Sequence, residues 1–204
     1  MADDIVARGG EGPESKFTPH PEGQYSLRCV DVINLGEKVT QWGEDPARIS
    51  PKVVLVFYSS ETEADGRKRE ISSREFTISM NEKANLRHFL EAWRGRPYTD
   101  SEVLAGVPLG KLEGQTALAS IAHKKSQKGR TYAVIQSLMP LPKAMPAPLP
   151  SDYQRAPYWE ERKKEYAKQV QDFKATVSTP PMEHNFEDFD QVPPEDDGPD
   201  SLPF

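Results

Sequence analysis

Cations and aromatic rings are the residues of this chain with a chemistry to offer. Lys124, Lys125, Lys128 and Arg130 fall within seven positions, and Tyr132 follows them. A second group holds Lys52, Tyr58, Arg67, Lys68, Arg69 and Arg74, and Trp42 and Arg48 precede it in a polar stretch. Lysine and arginine neutralise phosphates, and aromatic faces stack on bases, so this set suits a single-stranded nucleic acid. Each residue type also has a plainer use. A lysine-rich turn is equally at home simply solvated, and Tyr58 and Tyr132 fit a hydrophobic core as well as a stacking platform. Trp42 stands apart, because a Trp in a polar loop has little local core to join.

Catalytic chemistry finds less support. The four histidines, His20, His88, His123 and His184, are scattered, and none has metal-ligand spacing to a second ligand in the body of the chain. Cys29 is the single cysteine, which excludes an intrachain disulfide and a cysteine-based zinc site. Its place in a strand pattern suits a small buried thiol better than a nucleophile. No Gly-rich phosphate loop and no nucleophile elbow is present. The expectation is a protein with no catalytic residues, no metal and no cofactor.

The last 22 residues form a third constellation. From Glu183 onward there are eight acidic residues and no Lys or Arg. Asp196, Asp197 and Asp200 lead into Leu202, Pro203 and Phe204. Carboxylates steer such a segment to a basic surface, and an apolar plug with a Phe ring fills a pocket there. A solubilising tail is the plainer reading of the charge alone. The net charge of −6 conceals an asymmetry: with the −8 of this tail removed, residues 1–182 sum to +2 and residues 17–182 to +4. A mildly basic body suits a polyanion, and the tail mimics one.

The elements that must position these residues read as mainly β. Tyr25, Leu27 and Cys29 alternate with polar residues, and the phase changes near Val30, which predicts a strand with a bulge. A polar connection from Gly36 to Pro51 follows. The run Val53-Val54-Leu55-Val56-Phe57-Tyr58 predicts a strand buried on both faces. A turn at Asp65-Gly66 leads to a third strand over 68–80. Asn81 is expected to cap a helix of about twelve residues with Leu86, Phe89, Leu90 and Trp93 on one stripe. Gly95 and Pro97 stop it, and Thr99-Asp100-Ser101-Glu102 has the spacing of a capping box for a short second helix. Strands follow over 115–123 and 131–138, joined by the basic turn 124–130. Three strands, a helix and two strands is the chain order of an OB-fold, a five-stranded barrel whose ligand surface lies over strands two and three. In that frame the ring-and-cation set surrounds the ligand surface.

Residues 1–16 read as a disordered arm, 17–143 as the OB-fold domain and 144–157 as a Pro-rich linker. Residues 158–176 read as a charged helical segment that packs back on the barrel or orders only against a partner, and 177–204 as a disordered acidic tail. Nineteen prolines and a mean hydropathy of −0.72 fit a chain that is only partly packed. No apolar run approaches the roughly 20 residues needed to cross a bilayer, and Met1 to Glu14 lacks the apolar stretch of a secretory leader. A cytoplasmic location, without membrane contact, is expected.

Two segments carry a family resemblance. The end Asp200-Ser201-Leu202-Pro203-Phe204 resembles the acidic tip of bacterial and phage single-stranded-DNA-binding (SSB) proteins. The stretches Asn81-Glu82-Lys83-Ala84-Asn85-Leu86, Trp93-Arg94-Gly95-Arg96-Pro97 and Leu138-Met139-Pro140-Leu141-Pro142-Lys143 look like those of phage and prophage replication proteins of the OB-fold type. The resemblance implies a non-catalytic protein that coats single-stranded DNA in phage or bacterial replication and recombination. Its tip would recruit replication or recombination proteins. The chain departs from the cellular SSB proteins in its longer helix region and its Pro-rich linker, so their homotetramer does not carry over; an oligomer remains compatible with the sequence. The rival readings are an adaptor whose barrel binds protein, a nuclease, which would need a metal–carboxylate cluster, and an RNA-binding version.

Overall fold

The structure is a computed structural model and describes residues 18–41, 43–148 and 153–178. The chain runs β1 (Gly23–Thr40), β2 (Arg48–Thr62), β3 (Lys68–Ser72), β4 (Phe76–Thr77), α1 (Asn85–Arg94), α2 (Asp100–Ala105), a 3-10 turn (Leu109–Leu112), β5 (Thr116–Lys125), β6 (Thr131–Pro140) and α3 (Tyr158–Ser178). All strand pairs are antiparallel, in the order β3-β2-β1-β5-β6, with β4 also on β2. The result is mainly β: an open six-stranded sheet with three helices. The expected five-stranded barrel does not close, because β3 and β6 approach each other without a ladder between them.

The unbroken apolar run of β2 has a direct cause. Val53, Leu55 and Phe57 face one core, which α1 closes with Leu86, Leu90 and Trp93. Val54 and Val56 face a second core, closed by Trp159 and Tyr166 of α3. A strand with a helix on each side has no solvent face, so alternation disappears. The charged segment therefore packs back on the sheet, with Trp159, Tyr166 and Val170 buried on one stripe. Burying one such side chain contributes roughly 1.5–3 kcal/mol.

β1 serves both cores by changing phase. Its ladder with β2 slips between Cys29 and Asp31 and again between Asn34 and Gly36. Leu27 and Cys29 feed the first core, while Ile33 and Leu35 feed the second. The bulge near Val30 lies where the sequence pattern changed phase.

Three local expectations need correction. The connection over 36–51 is mostly strand, because β1 and β2 extend to pair Thr40 with Arg48. The third strand is interrupted. Ser73 accepts a hydrogen bond from the Leu55 amide with its hydroxyl and donates to the Arg74 carbonyl, which splits β3 from β4. α1 starts later than predicted, with Ala84 at the cap and no side-chain cap bond. Asn81 instead accepts from the Lys83 amide in a turn of its own.

The stops behave as read. Thr99 and Glu102 form a reciprocal capping box on α2. Gly95 ends α1 at φ +71°, and a Cβ there would meet Pro140 Cγ at 2.7 Å. The close approach of α1 to the end of β6 therefore requires glycine. The expected arm (1–16) and the acidic tail beyond Ser178 lie outside the described residues. The first part of the linker lies along β1, where Ser26 Oγ donates to the Pro146 carbonyl at 2.8 Å.

Candidate nucleic-acid interface

The β5–β6 hairpin exposes its basic turn as the sequence suggested. The Ser126 amide donates to the Arg130 carbonyl and Gly129 takes φ +75°, which closes the turn and frees the side chains. Lys124 pairs with Tyr132 across the ladder, and Lys125 with Thr131. Lys124, Lys125, Lys128 and Arg130 are exposed and have no ion-pair partner among the described residues. Tyr132 is 41% exposed, so its ring is available to a base.

The second group divides. Lys68 sits at the same end of the sheet as this hairpin, since β5 and β3 flank the start of β1 and the end of β2. Arg69, beside it, is spoken for. Its guanidinium donates to the Thr18 and Pro19 carbonyls and to Glu63 at 2.9 Å, with a side chain only 11% exposed. It anchors the incoming chain, and a role for it in ligand contact is a poor fit. Tyr58 is buried, with the Tyr153 ring 5.8 Å away at 80°. It packs on Tyr153, which lies against the second core, and its burial is a poor fit for a stacking platform.

Lys52 and Arg74 come together at the other end of β2, while Arg48 stays exposed at its first residue. A cleft of about 420 Å³ lies between β4 and the start of α1, lined by Lys52, Arg74, Thr77, Asn81, Lys83 and Asn85 among others. Lys52 is buried, and its ammonium donates to Thr77 Oγ1 at 2.8 Å. Burial lowers its pKa, and the neighbouring Lys38 charge lowers it further. Arg74 donates to Asn85 Oδ1 at 3.2 Å and lies over the Phe76 ring. Sequence reading missed Asn81, Lys83 and Asn85 as lining residues. The polar string before Leu86 was a signal, but it read as a helix cap. Trp42 lies outside the described residues, as do Asp196, Asp197, Asp200, Leu202, Pro203 and Phe204 of the tail.

α3 lies over the β1–β2 face opposite α1, so Trp159 and Tyr166 cover the strand-two part of the surface expected over strands two and three. A polar network bolts it down. Glu75 accepts from Lys38 Nζ at 2.8 Å, from the Tyr166 hydroxyl and from Arg162. Burial pushes the Glu75 carboxyl up, but the hydrogen bonds from Lys38 and Tyr166 and the adjacent charges outweigh it and hold it below the ordinary range. Burial likewise pulls Lys38 down, and its bonds to Glu75 and Tyr166 reverse this and raise it.

No three His, Cys, Asp or Glu residues among those described are grouped to hold a metal ion. The Cys29 thiol is buried, which pushes its pKa up to about 12 and keeps it protonated. No helix among the described residues is long and apolar enough to cross a membrane. In comparison with known proteins, no family model matches the chain and no curated protein does.

Proposed function

We propose that this chain is a non-catalytic single-stranded-DNA-binding protein of the phage and prophage replication type, built on an OB-like strand order. The observation that carries the reading is the β5–β6 hairpin: four exposed cations, without an ion-pair partner among the described residues, beside the exposed Tyr132 ring. Cations that track phosphates, with a ring for the bases, are what sequence-tolerant strand binding requires. The strand order β3-β2-β1-β5-β6 with a helix between β4 and β5 supports the OB assignment, although the sheet is open. The DNA path follows the hairpin and the Lys68 end of the sheet and leaves the α3-covered face aside. The acidic segment 183–204 recruits replication or recombination proteins through Leu202, Pro203 and Phe204. Its eight carboxylates and apolar plug support this role.

A salt-dependent titration with oligo-dT, set against duplex of equal length, tests the reading. Affinity should fall steeply with salt, because each neutralised phosphate of a single strand contributes a slope of about −0.7 in log K against log salt. Lys124→Ala with Lys128→Ala should lower that slope by about 1.4 and leave the fold intact. Of the three tryptophans, Trp93 and Trp159 are buried, so any quenching by DNA should vanish in Trp42→Phe. Equal binding of duplex and single strand, or no binding of either, overturns the reading in favour of an adaptor that binds protein.

A further inference from the structure

Lys52 occupies an unusual position. Its side chain is buried, yet no carboxylate among the described residues bonds it; its ammonium donates to the neutral Thr77 hydroxyl. An ammonium removed from water costs several kcal/mol unless a counter-charge offsets it. The Glu75 carboxylate lines the same cleft but is already shared among Lys38, Tyr166 and Arg162. Arg74 and Lys83 add two more cations to the walls of the same cleft. The N-terminus of α1 also borders it, and Ala84 supplies no side chain to cap the first amides. Thr77, Asn81 and Asn85 bring further hydrogen-bonding groups. The cleft therefore carries three cations against one carboxylate, Glu75, whose oxygens are already engaged by Lys38, Tyr166 and Arg162.

We propose that this cleft is a phosphate seat: Lys52, Arg74 and Lys83 hold one backbone phosphate of the bound strand at the far end of β2 from the hairpin. The proposal deepens the single-strand reading and rests on it for the source of the phosphate. Lys52 and Thr62 bracket about ten residues of β2, or roughly 33 Å of strand at about 3.3 Å per residue. The seat and the hairpin thus grip the strand at two separated points, and bases between them bypass the α3-covered face. The buried ammonium acts as a fixed charge, which needs no reorganisation when the phosphate arrives.

The test follows the Lys52 amine by NMR in the full chain, titrated with oligo-dT and separately with inorganic phosphate. The expected result is a shift of the Lys52 resonance with both probes, lost in Lys52→Met. Lys52→Met should also weaken oligo-dT binding about tenfold and lower the salt slope by about 0.7. Removing an unpaired buried charge should raise the Tm of the free protein, which a merely structural lysine would not do. Arg74→Gln with Lys83→Gln provides a surface variant that leaves the core untouched and should weaken both probes. A response to phosphate alone overturns the strand as the source and leaves a site for a free phosphate group. An amine silent to both probes, with oligo-dT still bound, overturns the seat and leaves the hairpin reading standing. Absence of oligo-dT binding in the wild type overturns the hairpin reading, and the phosphate arm then decides the seat by itself.

Discussion

Arg155 grips Asp31 with two hydrogen bonds of 2.8 Å, and so ties the entry of α3 to the bulge of β1. The Asp31 side chain is 7% exposed, so water cannot replace the guanidinium. The planar fork of arginine matches both carboxylate oxygens, a geometry that lysine lacks. Arg155→Ala should leave a buried carboxylate unpaired and destabilise the fold by about 3–5 kcal/mol. Arg155→Lys should recover only part of that loss. Urea unfolding of both variants measures the difference, and equal stability of wild type and Arg155→Ala would show the clamp to be inert.

Glu75 should make α3 docking sensitive to acid. Its carboxyl is held below the ordinary value of about 4.3. A depressed carboxylate stabilises the fold above its unfolded value and loses that contribution as pH falls through its folded value. Lys38 is raised, so its contribution is present below about 10.4 and lost as pH climbs through its folded value. The network should be intact from about pH 5 to 10. Glu75→Gln should cost about 1–3 kcal/mol at pH 7, and the gap to wild type should narrow below pH 4. Thermal unfolding across that range checks it.

Gly95 should tolerate no side chain. The φ of +71° and the 2.7 Å approach to Pro140 Cγ act together. Gly95→Ala should cost more than about 1 kcal/mol, since strain and clash add. A loss below that would mean that α1 and β6 can separate freely, which calorimetry would reveal.

Cys29 should be inert in the folded protein. With its pKa pushed up to about 12 by burial, almost none is thiolate at neutral pH. A thiol reagent should label it only at the rate of unfolding, so denaturant should accelerate labelling. Rapid labelling of the native chain would contradict the packing around β1.

Deletion of residues 183–204 should tighten oligo-dT binding at low salt and change little at high salt. The deleted segment carries −8 against a body of opposite sign, so it competes with DNA for the same cations. Unchanged low-salt affinity would remove this second role of the tail.

Local chemistry was legible in the sequence where one element decided it. The run Val53–Tyr58 announced a strand with two covered faces, the phase change near Val30 announced a bulge, and Thr99 with Glu102 announced a cap. The basic turn 124–130 was legible for the same reason. The fates of Tyr58, Arg69 and Lys52 were not. Each depends on a partner from elsewhere in the chain: Tyr153 for the first, Thr18 and Pro19 for the second, Thr77 for the third. Spacing along one strand contains no trace of such partners. The charged segment 158–176 was readable as a helix, but which face of the sheet it would cover was not. The break in the third strand was hidden for a similar reason: Ser73 parts β3 from β4 by a hydrogen bond with Leu55 that spacing could not foretell.

The two slips of β1 act as punctuation in a message read every second letter. Upstream of Val30 the odd positions Leu27 and Cys29 address the α1 side; downstream, Ile33 and Leu35 address the α3 side. Because side chains alternate with period two, the extra residue at the slip shifts the frame for everything after it. Cys29 faces Phe57 and Asp31 faces the adjacent Val56, so Val30 is the surplus letter. Deleting it would straighten the ladder and keep Ile33 on the α3 side, whereas deleting Val32, past the slip, would turn Ile33 toward the wrong audience.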